Sequence, residues 1–108
     1  VELVICNNDG MAEGAITALS AAGYNTGADD SLTIPVFGVD ATSAARELIK
    51  AGKMAGTIKQ DGDAMARAIR EVAENALDGD DLFDDMEDYT IDSDSAKLRI
   101  SYSVYLGE

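Results

Sequence analysis

Two patterns of apolar residues alternate along the chain. Short continuous runs, LVIC in VELVICNNDG and VFGV in IPVFGVD, are bounded by polar residues and turn formers. Longer stretches repeat apolar side chains every three or four positions. A short continuous run suits a strand buried on both faces, as in a parallel sheet; the longer period marks an amphipathic helix. The first strand is expected over Val1–Cys6. The helix after it places Met11, Ala15, Ile16, Leu19 and Ala22 on one face, with Asn8, Asp9 or Gly10 as N-cap and Gly23 as its stop. A turn-rich loop spans Tyr24–Thr33. The second strand is expected over Ile34–Asp40, with Pro35 at its start, where a missing N–H costs least. In ATSAARELIKAG, Thr42 or Ser43 caps a second helix, Ala45, Leu48 and Ile49 face inward, and Gly52 ends it.

The pattern loosens further on. Met54–Gln60 reads as a short third strand or an extended crossing segment. Met65, Ile69, Val72 and Ala76 define the inner face of a third helix, with Arg67–Glu71 and Arg70–Glu74 as i,i+4 pairs on the other face. Asp78–Asp94 holds nine acids and no base, and it lacks the glycine that an EF-hand loop requires. It reads as a solvated connector, with loose cation binding as the alternative. LRISYSVYL, Leu98–Leu106, alternates over part of its length and is expected to form one last strand with an exposed face.

Composition narrows the function classes. The chain has 108 residues, 46% of them hydrophobic, which suits one small folded domain rather than a disordered segment. A formal net charge of -13 excludes a nucleic-acid backbone as partner and disfavours an anionic membrane surface. Cys6 is the only cysteine, so no intrachain disulfide forms, and strand packing is its expected role. With no histidine, histidine triads and histidine metal sites are excluded. No stretch is long and apolar enough to span a bilayer, and no signal peptide is visible. The chain begins directly in a strand without Met, so a fragment or a processed product is expected.

The candidate chemistry lies where the first two strands stop. One runs into Asn7-Asn8-Asp9 and the other into Asp40. Parallel strands joined by a helix bring such ends to one edge, where open α/β sheets bind ligands. Ionised Asp only accepts hydrogen bonds, whereas Asn both donates and accepts. Sugar hydroxyls need that mixture. Helix capping alone would also account for these residues. A third reading gives Asp9 and Asp40 to Mg2+, for phosphoryl-transfer chemistry.

The stretches VELVICNNDGMAEGAITAL and IPVFGVDATSAARELIKAGKMAGTIKQD resemble the galactose/glucose-binding branch of the type I periplasmic sugar-binding proteins. LRISYSVYLGE is similar to that family's closing strand. The resemblance implies an α/β fold with a partial doubly wound parallel sheet, the C-terminal portion of a two-lobed protein. Residues 1–58 would build part of the C-terminal sugar-binding lobe. Residues 59–77 would be a crossing segment and a helix of the N-terminal lobe, 78–95 the acidic connector, and 96–108 the returning strand. It assigns Asn8, Asp40 and Gln60 to the sugar, Gln60 standing where the family usually has asparagine. It gives Glu2 to a structural calcium whose other ligands would come from a loop before Val1. No cofactor is expected for this chain alone.

The implied function is binding of a galactose- or glucose-type hexose by lobe closure, without catalysis, for an ABC importer. The implied partners are the sugar and the importer's membrane subunits, with a chemoreceptor as a further candidate. The implied location is periplasmic or extracellular, with a lipoprotein anchor as one route to the membrane. The effector core of a sugar-responsive repressor is the alternative within the same fold. The family's stacking rings have no counterpart, since the chain lacks Trp and Phe37 and Phe83 do not match those positions. The 108 residues alone are therefore expected to bind sugar weakly, and their open sheet edges to favour self-association.

Overall fold

The computed structural model describes residues 1–107. They divide into two compact units: residues 1–60 with 103–107, and residues 61–102.

The first unit is a four-stranded sheet in the order β1-β2-β3-β6. β1 (Val4–Ile5), β2 (Val36–Val39) and β3 (Gly56–Lys59) run parallel, and β6 (Ser103–Tyr105) pairs antiparallel with β3. The register sets Ile5 beside Phe37, Val39 beside Ile58, and Ile58 beside Val104. α1 (Asp9–Ala21) and α2 (Ser43–Lys50) pack against the sheet and each other. The core joins Ala12 and Ile16 of α1 to Val36 of β2, Ala45 and Ile49 of α2, and Met54, with Cys6, Leu19 and Leu48 at its margin.

The expected starts and stops of both helices appear. Asn8 caps α1, and Gly23 follows the helix with a left-handed φ of 87°. Thr42 caps α2 through a bond from the Ala45 amide, and Gly52 follows with φ 67°.

The first strand differs from its expectation. Leu3 and Ile5 are exposed, Ile5 at 76%, so β1 is an edge strand covered on one face only. Ile5, Val104 and Leu106 share the uncovered face of the sheet with Phe37, Val39 and Ile58. The apolar run predicts cover on both faces of the strand, but both helices of this unit lie on the other side.

The second unit holds α3 (Gly62–Asp78) and an antiparallel hairpin of β4 (Thr90–Asp92) and β5 (Lys97–Arg99). This corrects two expectations. Leu98–Leu106 is not one strand: its start pairs with β4, and its end forms β6 in the other unit. Asp78–Asp94 is not connector throughout, because its last residues build β4 and a 3-10 turn at Ser93–Ser95. Asp92 caps that turn, accepting from the Ser95 amide at 3.3 Å and the Ser95 hydroxyl at 2.6 Å. Asn75 ties the acidic loop to α3 by donating to the Leu82 and Asp84 carbonyls.

α3 also turns a different face inward. Ala68 is its buried residue, whereas Met65 and Ile69, expected inside, are exposed. Arg70 pairs with Glu74 at 3.2 Å on the solvent side, and Tyr89 lies near Arg67 and Glu71, its hydroxyl pKa raised by partial burial and by the Glu71 carboxylate. No helix among the described residues is long and apolar enough to cross a membrane.

Candidate functional site

The rim is built by topology. β1, β2 and β3 are parallel neighbours, so their carboxyl ends share one edge of the sheet. Asn8 follows β1, Asp40 follows β2 and Gln60 follows β3. All three are exposed. Asn8 is extended, with φ -151° and ψ 169°, and its Oδ1 accepts from the Met11 amide at 2.9 Å. The cap uses the amide oxygen, leaving the Nδ2 hydrogens as donors for a ligand. Gln60 Nε2 donates to Asp40 Oδ1 at 3.0 Å. That bond takes one carboxylate oxygen and one amide hydrogen, so the pair retains acceptors and a donor. The long glutamine side chain therefore spans from β3 to the residue at the end of β2.

The backbone at Asp40 is unusual. Asp40 has φ 117° and Ala41 has φ 53°, two successive non-glycine residues on the left-handed side. Such conformations cost about 1–3 kcal/mol each and persist only where the surroundings enforce them. Here they are enforced from three directions. The Asp40 amide donates to the Ile58 carbonyl at 2.8 Å, extending the β2–β3 ladder. The Ala41 amide donates to Thr57 Oγ1 at 3.3 Å. Arg46 Nε donates to the Ala41 carbonyl at 2.9 Å, while its guanidinium lies 5.1 Å from the centre of the Tyr105 ring.

Asp9 lies beneath this corner, fully buried in the first turn of α1. Its Oδ1 accepts from the Thr57 hydroxyl at 2.6 Å, and its Oδ2 accepts from the Thr42 amide at 2.8 Å. The helix N-terminus favours a negative charge there. Both carboxylate oxygens are thus committed to the protein. This corrects the reading that set Asp9 beside Asp40 as a Mg2+ ligand: Asp40 is at the exposed rim, and Asp9 is turned into the fold.

Gly38 makes that burial feasible. A Cβ on Gly38 would clash with Asp9 Oδ1 and would lie 3.0 Å from the Met54 methyl. The glycine of VFGVD therefore keeps space for the carboxylate.

Sequence reasoning also missed Asn25. It is buried, with φ 48°, and its side chain donates to the Ile34 and Lys53 carbonyls and accepts from the Ile34 amide. Asn tolerates the left-handed region, and a lone Asn in a turn-rich loop is the signal that marked it.

Glu2 is exposed near the edge strand. Among the described residues, no three His, Cys, Asp or Glu side chains are grouped to hold a metal ion. A separate hollow of about 360 Å³ belongs wholly to the second unit and mixes Arg67 and Arg99 with Asp61 and Asp88, a lining of both signs.

A family model described as periplasmic binding protein domain matches residues 1–81. The chain is 38% identical over 79 residues to the D-galactose/methyl-galactoside binding periplasmic protein MglB of Haemophilus influenzae, covering 73% of this chain and 22% of that protein. It is 36% identical over 80 residues to the ribose import binding protein RbsB of Salmonella typhimurium, covering 74% of this chain and 25% of that protein. The matches thus span about a quarter of the length of these curated relatives. Since the family match runs through all three parallel strands and past the residues at their ends, the chain belongs to the periplasmic binding protein domain family, as its strand-end motifs implied.

Proposed function

We propose that the chain carries one wall of the sugar site in a solute-binding protein, with Asn8, Asp40 and Gln60 as its hydrogen-bonding groups. The carrying observation is that these residues follow three adjacent parallel strands, with Gln60 already bonded to Asp40 at 3.0 Å. The set supplies amide donors beside carboxylate acceptors, which a ring of hydroxyls requires. The printed names of the two relatives, a galactoside-binding and a ribose-import binding protein, support a monosaccharide as ligand. A galactose- or glucose-type hexose is the leading substrate. Binding would proceed by closure of two lobes over the sugar, with no bond chemistry, the ligand favouring the closed state. Delivery to an ABC importer in the periplasm is the corresponding role, with a chemoreceptor as a second docking partner. Glu2 would add one carboxylate to a calcium site completed by residues outside this chain.

Titration calorimetry of the full-length protein against galactose, glucose and ribose tests this reading. Saturable binding of one of them is expected, and no heat with any of the three would contradict it. Asn8→Asp separates the two roles of that residue. The carboxylate keeps the acceptor that caps α1, so the melting temperature should stay close to wild type. It loses the amide donor, so sugar affinity should fall roughly tenfold. Unchanged affinity in this variant would remove Asn8 from the site.

Self-association of the isolated 108 residues is the companion expectation. The uncovered sheet face includes Ile5, Val104 and Leu106, each more than 60% exposed, and β1 and β6 leave unpaired edges. A second copy of the chain can cover both. Multi-angle light scattering should give a mass above 11.3 kDa, and a monomer at every concentration would contradict the expectation.

A further inference from the structure

We infer that Asp9 and Thr57 are positioning residues that hold the Asp40–Ala41 corner in the geometry with which Asp40 meets the ligand; this rests on the sugar-site reading above. The argument starts from the backbone. Two consecutive left-handed non-glycine residues would relax toward the β or α region if nothing held them. The amides that follow Asp40 are held by one buried unit. Ala41 N–H bonds Thr57 Oγ1, and Thr42 N–H bonds Asp9 Oδ2. The Thr57 hydroxyl closes the unit by donating to Asp9 Oδ1.

Thr57 is thus an acceptor toward the corner and a donor toward the carboxylate, two roles that a hydroxyl fills through a single atom. The three parts come from different elements: Asp9 from α1, Thr57 from β3, and the corner from the β2–α2 turn. The direction of Asp40 is therefore tied to the placement of α1 and β3 as well as to its own loop. Neither Asp9 nor Thr57 needs to touch the ligand, since both are buried.

The test uses the full-length protein and three variants. Thr57→Val keeps the shape and deletes the hydroxyl. Thr57→Ser keeps the hydroxyl and deletes a methyl. Asp9→Asn keeps the volume but leaves one oxygen where two accept, so the Thr42 amide and the Thr57 hydroxyl can no longer both be accepted. Thr57→Val and Asp9→Asn are expected to lower sugar affinity by roughly fivefold or more, while Thr57→Ser stays within about twofold of wild type. In the sugar-free protein, the amide resonances of Asp40 and Ala41 should move in Thr57→Val and Asp9→Asn and remain in place in Thr57→Ser.

Wild-type affinity in Thr57→Val and Asp9→Asn, or resonances that do not move, would overturn the inference. So would an equal loss in Thr57→Ser, which would assign the effect to packing. If Thr57→Val does not fold, Asp9→Asn and Thr57→Ser carry the comparison. If the wild-type protein binds no sugar, the functional reading fails, while the resonances still decide whether Asp9 and Thr57 hold the corner.

Discussion

Asp40→Gly in the full-length protein is expected to weaken sugar binding by more than tenfold while leaving the melting temperature at or above the wild-type value. The loss follows from deleting a charged acceptor, since hydrogen bonds to charged groups contribute roughly 1.5–3 kcal/mol. The retained stability follows from the backbone. Asp40 has φ 117°, a conformation that glycine adopts without strain. Its side chain is exposed and bonds only the exposed Gln60 among the contacts described, so little packing is lost. Asp40→Ala should weaken binding by a similar factor and, because alanine keeps the strain that glycine relieves, melt below Asp40→Gly. Calorimetry and thermal melts on the pair separate these effects. Sugar binding within about twofold of wild type in both variants would remove Asp40 from the site. Strain held at a ligand-contacting residue is a recurrent trade of stability for function.

Gly38→Ala is expected to act in the opposite way, on the fold first. The added methyl would meet Asp9 Oδ1 and the Met54 side chain, and both belong to tightly packed surroundings. Overpacking of this kind costs about 1–3 kcal/mol. Displacing Asp9 adds the cost of unpairing the Thr42 amide and the Thr57 hydroxyl. The melting temperature of the full-length protein should fall by several degrees, and sugar affinity should fall with it at temperatures where the variant is folded. A Gly38→Ala protein as stable as wild type would show that Asp9 can move aside freely, and the buried unit under Asp40 would lose its explanation.

Much of this was legible in the residues alone, and for identifiable reasons. Helix starts were readable because Asn8 and Thr42 are good caps, and the stops because Gly23 and Gly52 take left-handed φ values. The parallel order of β1, β2 and β3 follows from short apolar runs alternating with amphipathic helices. The shared rim then follows from the order.

The misses also have physical causes. In Asn7-Asn8-Asp9, three polar residues stand side by side, and composition does not tell which one turns inward. The turn into α1 decides it, leaving Asn8 at the cap and burying Asp9. Leu98–Leu106 reads as one strand because its alternation continues, yet the chain leaves one unit and enters the other within it. The apolar patterns around Ile5 of β1 and Ile69 of α3 predict burial, yet both side chains are exposed, because periodicity marks a face without showing what packs on it.

The most direct test of the central claim is a crystal structure of the full-length protein with its sugar bound. The account predicts one sugar ring within hydrogen-bond distance of the Asn8 amide, the Asp40 carboxylate and the Gln60 amide together. A sugar seated elsewhere, with these three side chains facing only solvent, would contradict it.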